Sequence, residues 1–350
     1  MHLAPLSALP RPEWIVLGVN NLCNLHCRMC DVGTRFETSN FYTNLVGTRP
    51  VDMPLGLITR VIDQTARQFP GTKLGYAFTE PLIYPYLSES LEYAHGLGLY
   101  TAVTTNALML SGCAEALVQA GLDDIFISLD GPPDIHNFTR GNRRSFQRAM
   151  AGIEALLGFR QSPGISVFCV ITEWNIGRLA AFIDYFRHIP LRRLGFLHQN
   201  FTTREVADGH NLLYGDLCPA TESGVAGVQI EKLDLDLLWR EIQAITGSDY
   251  SFPVSFSPNI HTRERLDLYY TTPHVPFGKQ CRDIFRNIMV KSDGTVIPAH
   301  GRCYNLPVGN LYEQDLAAIW CSGALNRFRT VVASAGGLLP ACARCCSAFG

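Results

Sequence analysis

Hydrophobic residues along the chain gather into short apolar runs separated by stretches with helical spacing. The runs are Trp14 to Val19, Lys73 to Phe78, Leu99 to Thr105, Asp124 to Leu129, Ile165 to Ile171 and Leu194 to His198. Between them lie Leu55 to Gln68, Leu87 to His95, Ala114 to Ala120, Ser145 to Phe159 and Leu179 to Arg187, where apolar residues recur three and four apart. Six strands, five of them followed by a helix, predict an α/β fold with a parallel sheet and right-handed crossovers. Periodicity alone does not decide whether that sheet is open or curls into a barrel.

The rhythm breaks at residues 201–232, which predict an irregular segment after the sixth strand. A segment of this length is either a substrate cover or a plain surface loop. Helical spacing returns from Leu233 to Ile245, while Pro253 to Pro276, rich in Pro, Thr and His, predicts a linker. Beyond Cys281 the chain changes character. Ile284 to Lys291 and Thr295 to Pro298 flank Ser292-Asp293-Gly294, a hairpin signal, and a helix is expected from about Leu316 to Val331. The expected division is a barrel domain at 1–250, a linker at 251–280 and a small unit at 281–350.

Composition adds boundaries to this picture. The 350 residues are 47% hydrophobic and 17% charged, enough for a large core. A net charge of -2 gives no electrostatic case for nucleic acid or an anionic membrane. No apolar run reaches transmembrane length, and Met1-His2-Leu3-Ala4-Pro5 lacks the features of a signal peptide. A cytoplasmic location is therefore expected, where twelve cysteines argue for metal binding over disulfides. Their distribution says more than their number. Cys23, Cys27 and Cys30 lie at one end, six cysteines lie between 281 and 346, and only Cys113, Cys169 and Cys218 lie between the two groups.

Three thiolates on one loop after a strand form an incomplete set. A structural zinc site closes with four ligands, and an ordinary iron–sulfur cluster takes four cysteines. A cubane held by three leaves one iron open to something other than protein. Cys23-x3-Cys27-x2-Cys30 resembles the signature of the radical S-adenosylmethionine (SAM) enzymes, although Met29 stands where that family usually has an aromatic residue. The competing reading is a zinc knuckle. The resemblance implies a partial (β/α)6 TIM-like barrel whose [4Fe-4S] cluster binds the amino and carboxylate groups of SAM. It also implies reductive cleavage of SAM to a 5′-deoxyadenosyl radical, with a flavodoxin- or ferredoxin-type reductant.

Later strand ends resemble the family's SAM-binding motifs. Thr79-Glu80-Pro81 stands where the family has Gly-Gly-Glu-Pro, with Phe78 and Thr79 replacing the glycines. Thr104-Thr105-Asn106 resembles the third-strand motif, and Ser128-Leu129-Asp130-Gly131 the fourth. Arg140, in the run from Asp134 to Gly141, matches an arginine that faces the SAM carboxylate, a partner suited to a guanidinium fork. Asn175 is a candidate for the adenine or ribose. The resemblance thus implies SAM contacts from Thr79, Glu80, Asn106, Ser128, Asp130, Arg140 and Asn175. Each is also an ordinary turn or cap residue type.

The tail resembles the SPASM domain and its shortened relative, the twitch domain, which carry auxiliary clusters. Cys281, Cys303, Cys342 and Cys345 are implied as ligands of a second [4Fe-4S] cluster. Cys346 is an alternative to Cys345, and a zinc site is the competing reading. A cluster closed by four cysteines suits electron transfer. The expected reaction is oxidation of a secondary alcohol of a sugar or aminocyclitol, a small-molecule substrate, in natural-product biosynthesis. Peptide modification and sugar epimerisation remain alternatives. The first cluster begins at Cys23, leaving no room before it for a leader-binding domain, so a small molecule is favoured. His198 at a strand end, and the spare thiols Cys169 and Cys218, are the candidate catalytic groups.

Overall fold

The computed structural model describes residues 10–349. The six expected strands are β1 (Trp14–Gly18), β2 (Lys73–Tyr76), β3 (Thr101–Thr105), β4 (Asp124–Ser128), β5 (Gly164–Val170) and β6 (Arg193–Leu197). Four more follow: β7 (Val254–Ser257), β8 (Asn287–Lys291), β9 (Thr295–Pro298) and β10 (Gly309–Asn310). All ten form one sheet in the order β10-β9-β8-β1-β2-β3-β4-β5-β6-β7. The pairs from β8 through β1 to β7 are parallel, and only β8–β9 and β9–β10 are antiparallel. The two ends of the sheet do not pair, so the architecture is an open, partial barrel of the α/β class.

Alternation along each strand sets two faces. Ile15 and Leu17, Ile125 and Ile127, and Leu194 and Phe196 belong to the main core, packed with helix residues such as Leu57, Val61, Ile153, Phe182 and Phe186. Val16, Phe126, Ser128 and Leu197 alternate onto the other, inner face and are only partly buried. The helix Leu55–Gln68 illustrates the coupling of sequence to packing: Leu57, Ile58, Val61, Ile62 and Thr65 form its single buried stripe. No helix among the described residues is long and apolar enough to cross a membrane.

Three stretches differ from the sequence expectation. Residues 201–232 contain the helix Arg204–Tyr214, capped by the Thr203 hydroxyl accepting from Val206 N. Its buried face is only Val206, Ala207 and His210, and Gly209 interrupts it, so its periodic signal is faint. The supposed linker from Pro253 to Pro276 contains β7 and the helix Arg263–Thr271. Four residues flanked by Pro253 and Pro258 hide the strand, yet Phe256 stacks on Phe196 of β6 with ring centroids 5.1 Å apart. The expected helix from Leu316 is split into Leu316–Trp320 and Gly323–Ser334, the second capped by the Ser322 hydroxyl.

The most consequential contact is the pairing of β8 with β1, from Trp14↔Asn287 to Gly18↔Lys291. It seats the C-terminal hairpin beside the strand that leads into the first cysteine loop.

Candidate active site

The loop after β1 folds over a small apolar nest of Leu25, Cys27, Met29, Leu108 and Val228, with Cys23, Cys30 and Trp174 packed against it. Two glycines permit its close contacts. A Cβ on Gly33 would lie 2.3 Å from Cys27 O, and one on Gly141 would lie 2.9 Å from His26 O. Gly141 also has φ 66°, ending the helix Pro133–Arg140 in the left-handed region. The Cys27 thiol is pushed up to about 12 by burial first, with Cys30 and Cys23 adding to the shift and Arg140 opposing it. Burial likewise raises Cys23, and Glu80 and Cys30 add to it. Thiols that resist ionisation through burial and mutual repulsion are a donor set that a cationic cluster stabilises. With Cys30 packed against the same nest, the three residues fit the group.

Around this loop the polar strand ends converge. Glu80 is 1% exposed, and its carboxylate accepts from Leu82 N at 3.0 Å, Thr105 Oγ1 at 2.6 Å and Asn106 N at 2.8 Å. Burial raises its pKa, and those three donors oppose the rise. Asn20 Nδ2 donates to Glu80 O at 2.9 Å and Thr79 Oγ1 donates to Asn20 O at 2.9 Å, while Asn20 Oδ1 is buried with no partner among the described residues. Phe78, standing where the resemblance places a glycine, has φ 83°. The replacement thus keeps the backbone turn a glycine would make, at a steric cost of ~1–2 kcal/mol. Asn106 Nδ2 donates to Asn24 Oδ1 at 2.8 Å and lies 3.9 Å from Cys23 Sγ.

On the opposite side Arg140 Nε meets Asp130 Oδ2 at 2.5 Å, and its Nη1 lies 3.7 Å from Cys27 Sγ. Burial works against its charge, but Asp130 and Cys27 outweigh it, and the pKa is raised. Asp130 Oδ1 accepts from Val170 N at 3.0 Å, so this carboxylate orients the arginine and is itself fully enclosed. Ser128 lies on the inner face, and its hydroxyl makes no hydrogen bond among the described residues. Asn175 differs. Its Nδ2 donates to Val170 O and Asp130 O, its Oδ1 accepts from Thr172 N, and it is fully buried, so its amide is spent on the backbone.

The catalytic candidates lie elsewhere. His198 shares the helix-facing side with Leu194 and Phe196, bonds Tyr270 Oη through Nδ1 at 2.8 Å, and is lowered to about 3 by burial. Cys169 lies in the same core, beside Ile165 and Val167. Cys218 is fully buried in a separate nest with Tyr304, Phe328 and the C-terminal cysteines.

In that nest Cys281, Cys303, Cys342 and Cys345 line one cavity that is partly open to solvent. Burial raises the Cys303 thiol, with Cys281, Cys342 and Cys345 adding to it; Cys342 is pushed up to about 12 by burial and by Cys345. Four mutually repelling, partly buried thiols around a cavity fit a closed cluster. A tighter trio stands beside them: His300, Cys345 and Cys346 place ligand atoms within 4.8 Å of one another, a spacing suited to a single ion. Cys321 is exposed at the end of its helix.

The same cavity is linked to the first site through its wall residue Ser223. Its far wall carries Asn40, Phe41, Asn200, Thr202, Thr221 and Ser223. Ser223 Oγ donates to Asp31 Oδ2 at 2.7 Å and Gly224 N to Asp31 Oδ1 at 2.9 Å, tying the segment after β6 to the residue following Cys30. Phe41 packs edge-on against Phe78, and Phe78 stacks on His300 at 5.8 Å. Arg302 lies over the Phe41 ring at 4.3 Å and forms no ion pair among the described residues. Sequence reasoning missed Asn20, Asp31, Arg302 and Tyr304. For three of them adjacency was the available signal: Asp31 follows Cys30, and Arg302 and Tyr304 flank Cys303.

Comparison with known proteins agrees with this geometry. A sequence profile of the Radical SAM superfamily matches residues 18–186, and one of an iron-sulfur cluster-binding domain, SPASM, matches residues 281–346. The AdoMet-dependent heme synthase of Oleidesulfovibrio alaskensis is 26% identical over 180 residues, covering 51% of this chain and 42% of that protein. GTP 3′,8-cyclase of Helicobacter pylori is 24% identical over 292 residues, covering 82% and 79%. This chain spans less than half the length of the first of these. Among solved structures, Streptococcus suis SuiB bound to precursor peptide SuiA superimposes with TM-score 0.62 at 17% identity, over 91% of this chain and 67% of that one. That likeness is one of fold. The chain is a member of the radical SAM superfamily with a C-terminal SPASM domain, a class whose cofactors are a [4Fe-4S] cluster, SAM and an auxiliary cluster.

Proposed function

We propose that the protein oxidises a secondary alcohol of a small polar molecule, a sugar or aminocyclitol, to a ketone, with the auxiliary cluster as electron acceptor. The observation that carries this reading is the polar wall of the cavity at the second cysteine set, which adjoins the segment tied to Asp31. Asn200 and Thr202 face it with side chains that make no hydrogen bond among the described residues, and Arg302 adds an unpaired guanidinium. A few convergent donors and acceptors of this kind suit a hydroxyl-rich ligand. When bound, the SAM-binding cluster with SAM supplies hydrogen-atom abstraction, and the auxiliary cluster supplies a one-electron sink.

The chain's own residues then have distinct tasks. Cys23, Cys27 and Cys30 would hold the first cluster. Arg140, fixed by Asp130, would bind the SAM carboxylate. Glu80, with the backbone of Phe78 and Thr79, would hold the ammonium, and Ser128 the ribose. Asp31 ties down the segment at Ser223 and Gly224, which covers the mouth and keeps water out. Cys281, Cys303, Cys342 and Cys345 would hold the second cluster with no position left open. The domain division, with the second cluster in 281–350, belongs to the same reading, as do a cytoplasmic setting and a flavodoxin- or ferredoxin-type reductant.

The test is product stoichiometry with purified, cluster-loaded protein, SAM, a reductant and a panel of secondary alcohols. One ketone per 5′-deoxyadenosine supports the proposal. Solvent deuterium in an otherwise unchanged product would instead establish epimerisation, for which the buried Cys169 and Cys218 offer no thiol in the cavity lining. A second reading, peptide modification, draws on SuiB, whose structure holds its precursor peptide. Turnover only with a peptide would replace the first reading by the second.

A further inference from the structure

Beside the second cysteine set stand aromatic groups that the proposed reaction does not use. Tyr304 lines the same cavity, and its hydroxyl oxygen lies 3.2 Å from Cys342 Sγ. The ring is held from two sides. It stacks on the His210 imidazole, with centroids 5.0 Å apart and planes 18° apart, and Phe328 meets it at a 77° interplanar angle. His210 is fully buried on the helix Arg204–Tyr214, and its Nε2 donates to Cys218 O at 2.8 Å, which fixes the imidazole in turn. The tyrosine hydroxyl is therefore aimed, not free to wander.

A cysteine that binds iron is a thiolate with no proton to give. The hydrogen bond must then run from Tyr304 to the Cys342 sulfur. Hydrogen bonds to ligating sulfurs draw off electron density and favour the more negative, reduced state of a cluster. At the first cysteine set the corresponding donors, Arg140 Nη1 and Asn106 Nδ2, stand further off, at 3.7 Å and 3.9 Å.

We propose that Tyr304 donates a hydrogen bond to the Cys342 sulfur and thereby raises the reduction potential of the auxiliary cluster, with His210 as a positioning residue. This rests on Cys342 as an auxiliary ligand and not on alcohol oxidation, so the two stand or fall separately. The experiment is an anaerobic redox titration of the full-length, doubly loaded protein, followed by electron paramagnetic resonance, with the SAM-binding cluster as internal reference. Tyr304→Phe keeps the ring and removes the donor, and the auxiliary midpoint is expected to move to a more negative potential while the reference stays in place. His210→Leu is expected to move it in the same direction by a smaller amount. A Tyr304→Phe protein with full iron and an unmoved auxiliary midpoint overturns the proposal. Should that variant fail to hold its cluster, the wild-type protein decides. Its iron–thiolate stretching frequencies are expected to shift on exchange into deuterium oxide, and their failure to shift overturns the proposal equally.

Discussion

The two cysteine sets solve opposite problems with the same side chain. The first has three cysteines on one eight-residue loop, ringed by a buried acid, Glu80, and a buried ion pair, Asp130–Arg140. The second draws four cysteines from positions 64 residues apart in sequence, and its surroundings mix Tyr304 and Asn44, whose Nδ2 donates to Cys303 O at 2.7 Å, with the charged groups Asp283, Arg302 and Arg344. Charged groups beside an incomplete ligand set are what a zwitterionic fourth ligand needs. A fully enclosed set needs none, and serves for electron storage. On the proposed reading it is the number of cysteines, three against four, that separates a site open to a further ligand from one that is closed.

The largest test of that contrast is to remove one thiol from each. Cys27→Ala is expected to abolish 5′-deoxyadenosine formation, whereas Cys342→Ala should leave it in place and eliminate ketone. Each variant should lose about half of the iron, ~4 of ~8 per chain, since each cubane contains four. If SAM cleavage survives without Cys27, the first site is misassigned.

A second, smaller effect lies in the ion pair. Asp130→Asn leaves Arg140 buried without its partner, and a charge-assisted hydrogen bond contributes ~1.5–3 kcal/mol. SAM affinity, read by equilibrium dialysis, is expected to fall by ~10–100-fold. An unchanged affinity would show that Arg140 does not depend on Asp130 for its orientation toward SAM.

The fold was legible wherever one segment carried its own pattern. Strands β1 to β6 and the hairpin turn at Asp293-Gly294 were readable because alternation and turn chemistry are local. What stayed hidden depends on partners far away in sequence. β7 is four residues long, and only its pairing with β6 identifies it; β8 reads as part of a separate hairpin until it is seen beside β1. The site divides in the same way. Cysteine spacing pointed to both sets, yet whether a polar side chain is free or committed depends on neighbours from other strands. Ser128 and Asn175 looked alike as strand-end polar residues, and only the hydrogen bonds around them tell them apart.

That pair gives a sharper comparison. Ser128→Ala is expected to weaken SAM binding several-fold with the melting temperature unchanged. Asn175→Ala should cost ~1–3 kcal/mol of stability, by leaving buried backbone groups unsatisfied, with SAM affinity in the folded fraction preserved. The reverse pattern, affinity lost at Asn175 and stability lost at Ser128, would undo both assignments.

His198 supplies the smallest effect, and one outside both sites. Its folded pKa lies near 3, below the ~6.5 of an unfolded histidine, so the unfolded chain binds the extra proton between those values. Its contribution to stability is intact above pH ~6.5 and is lost as pH falls, by ~1.4 kcal/mol per unit. Chemical denaturation between pH 6.5 and 5 should show a shallower loss in His198→Gln than in wild type, with deoxyadenosine formation at neutral pH retained. A variant that folds normally but no longer oxidises substrate would return His198 to the catalytic candidates.

The contrast between an open and a closed cluster is tested most directly by metal analysis of the anaerobically purified wild-type protein. Iron and acid-labile sulfide at ~8 each per chain, with no stoichiometric zinc, are the predicted result for two cubanes. About four irons together with one zinc would contradict it, placing a structural ion among the C-terminal cysteines and leaving the reaction without its electron acceptor.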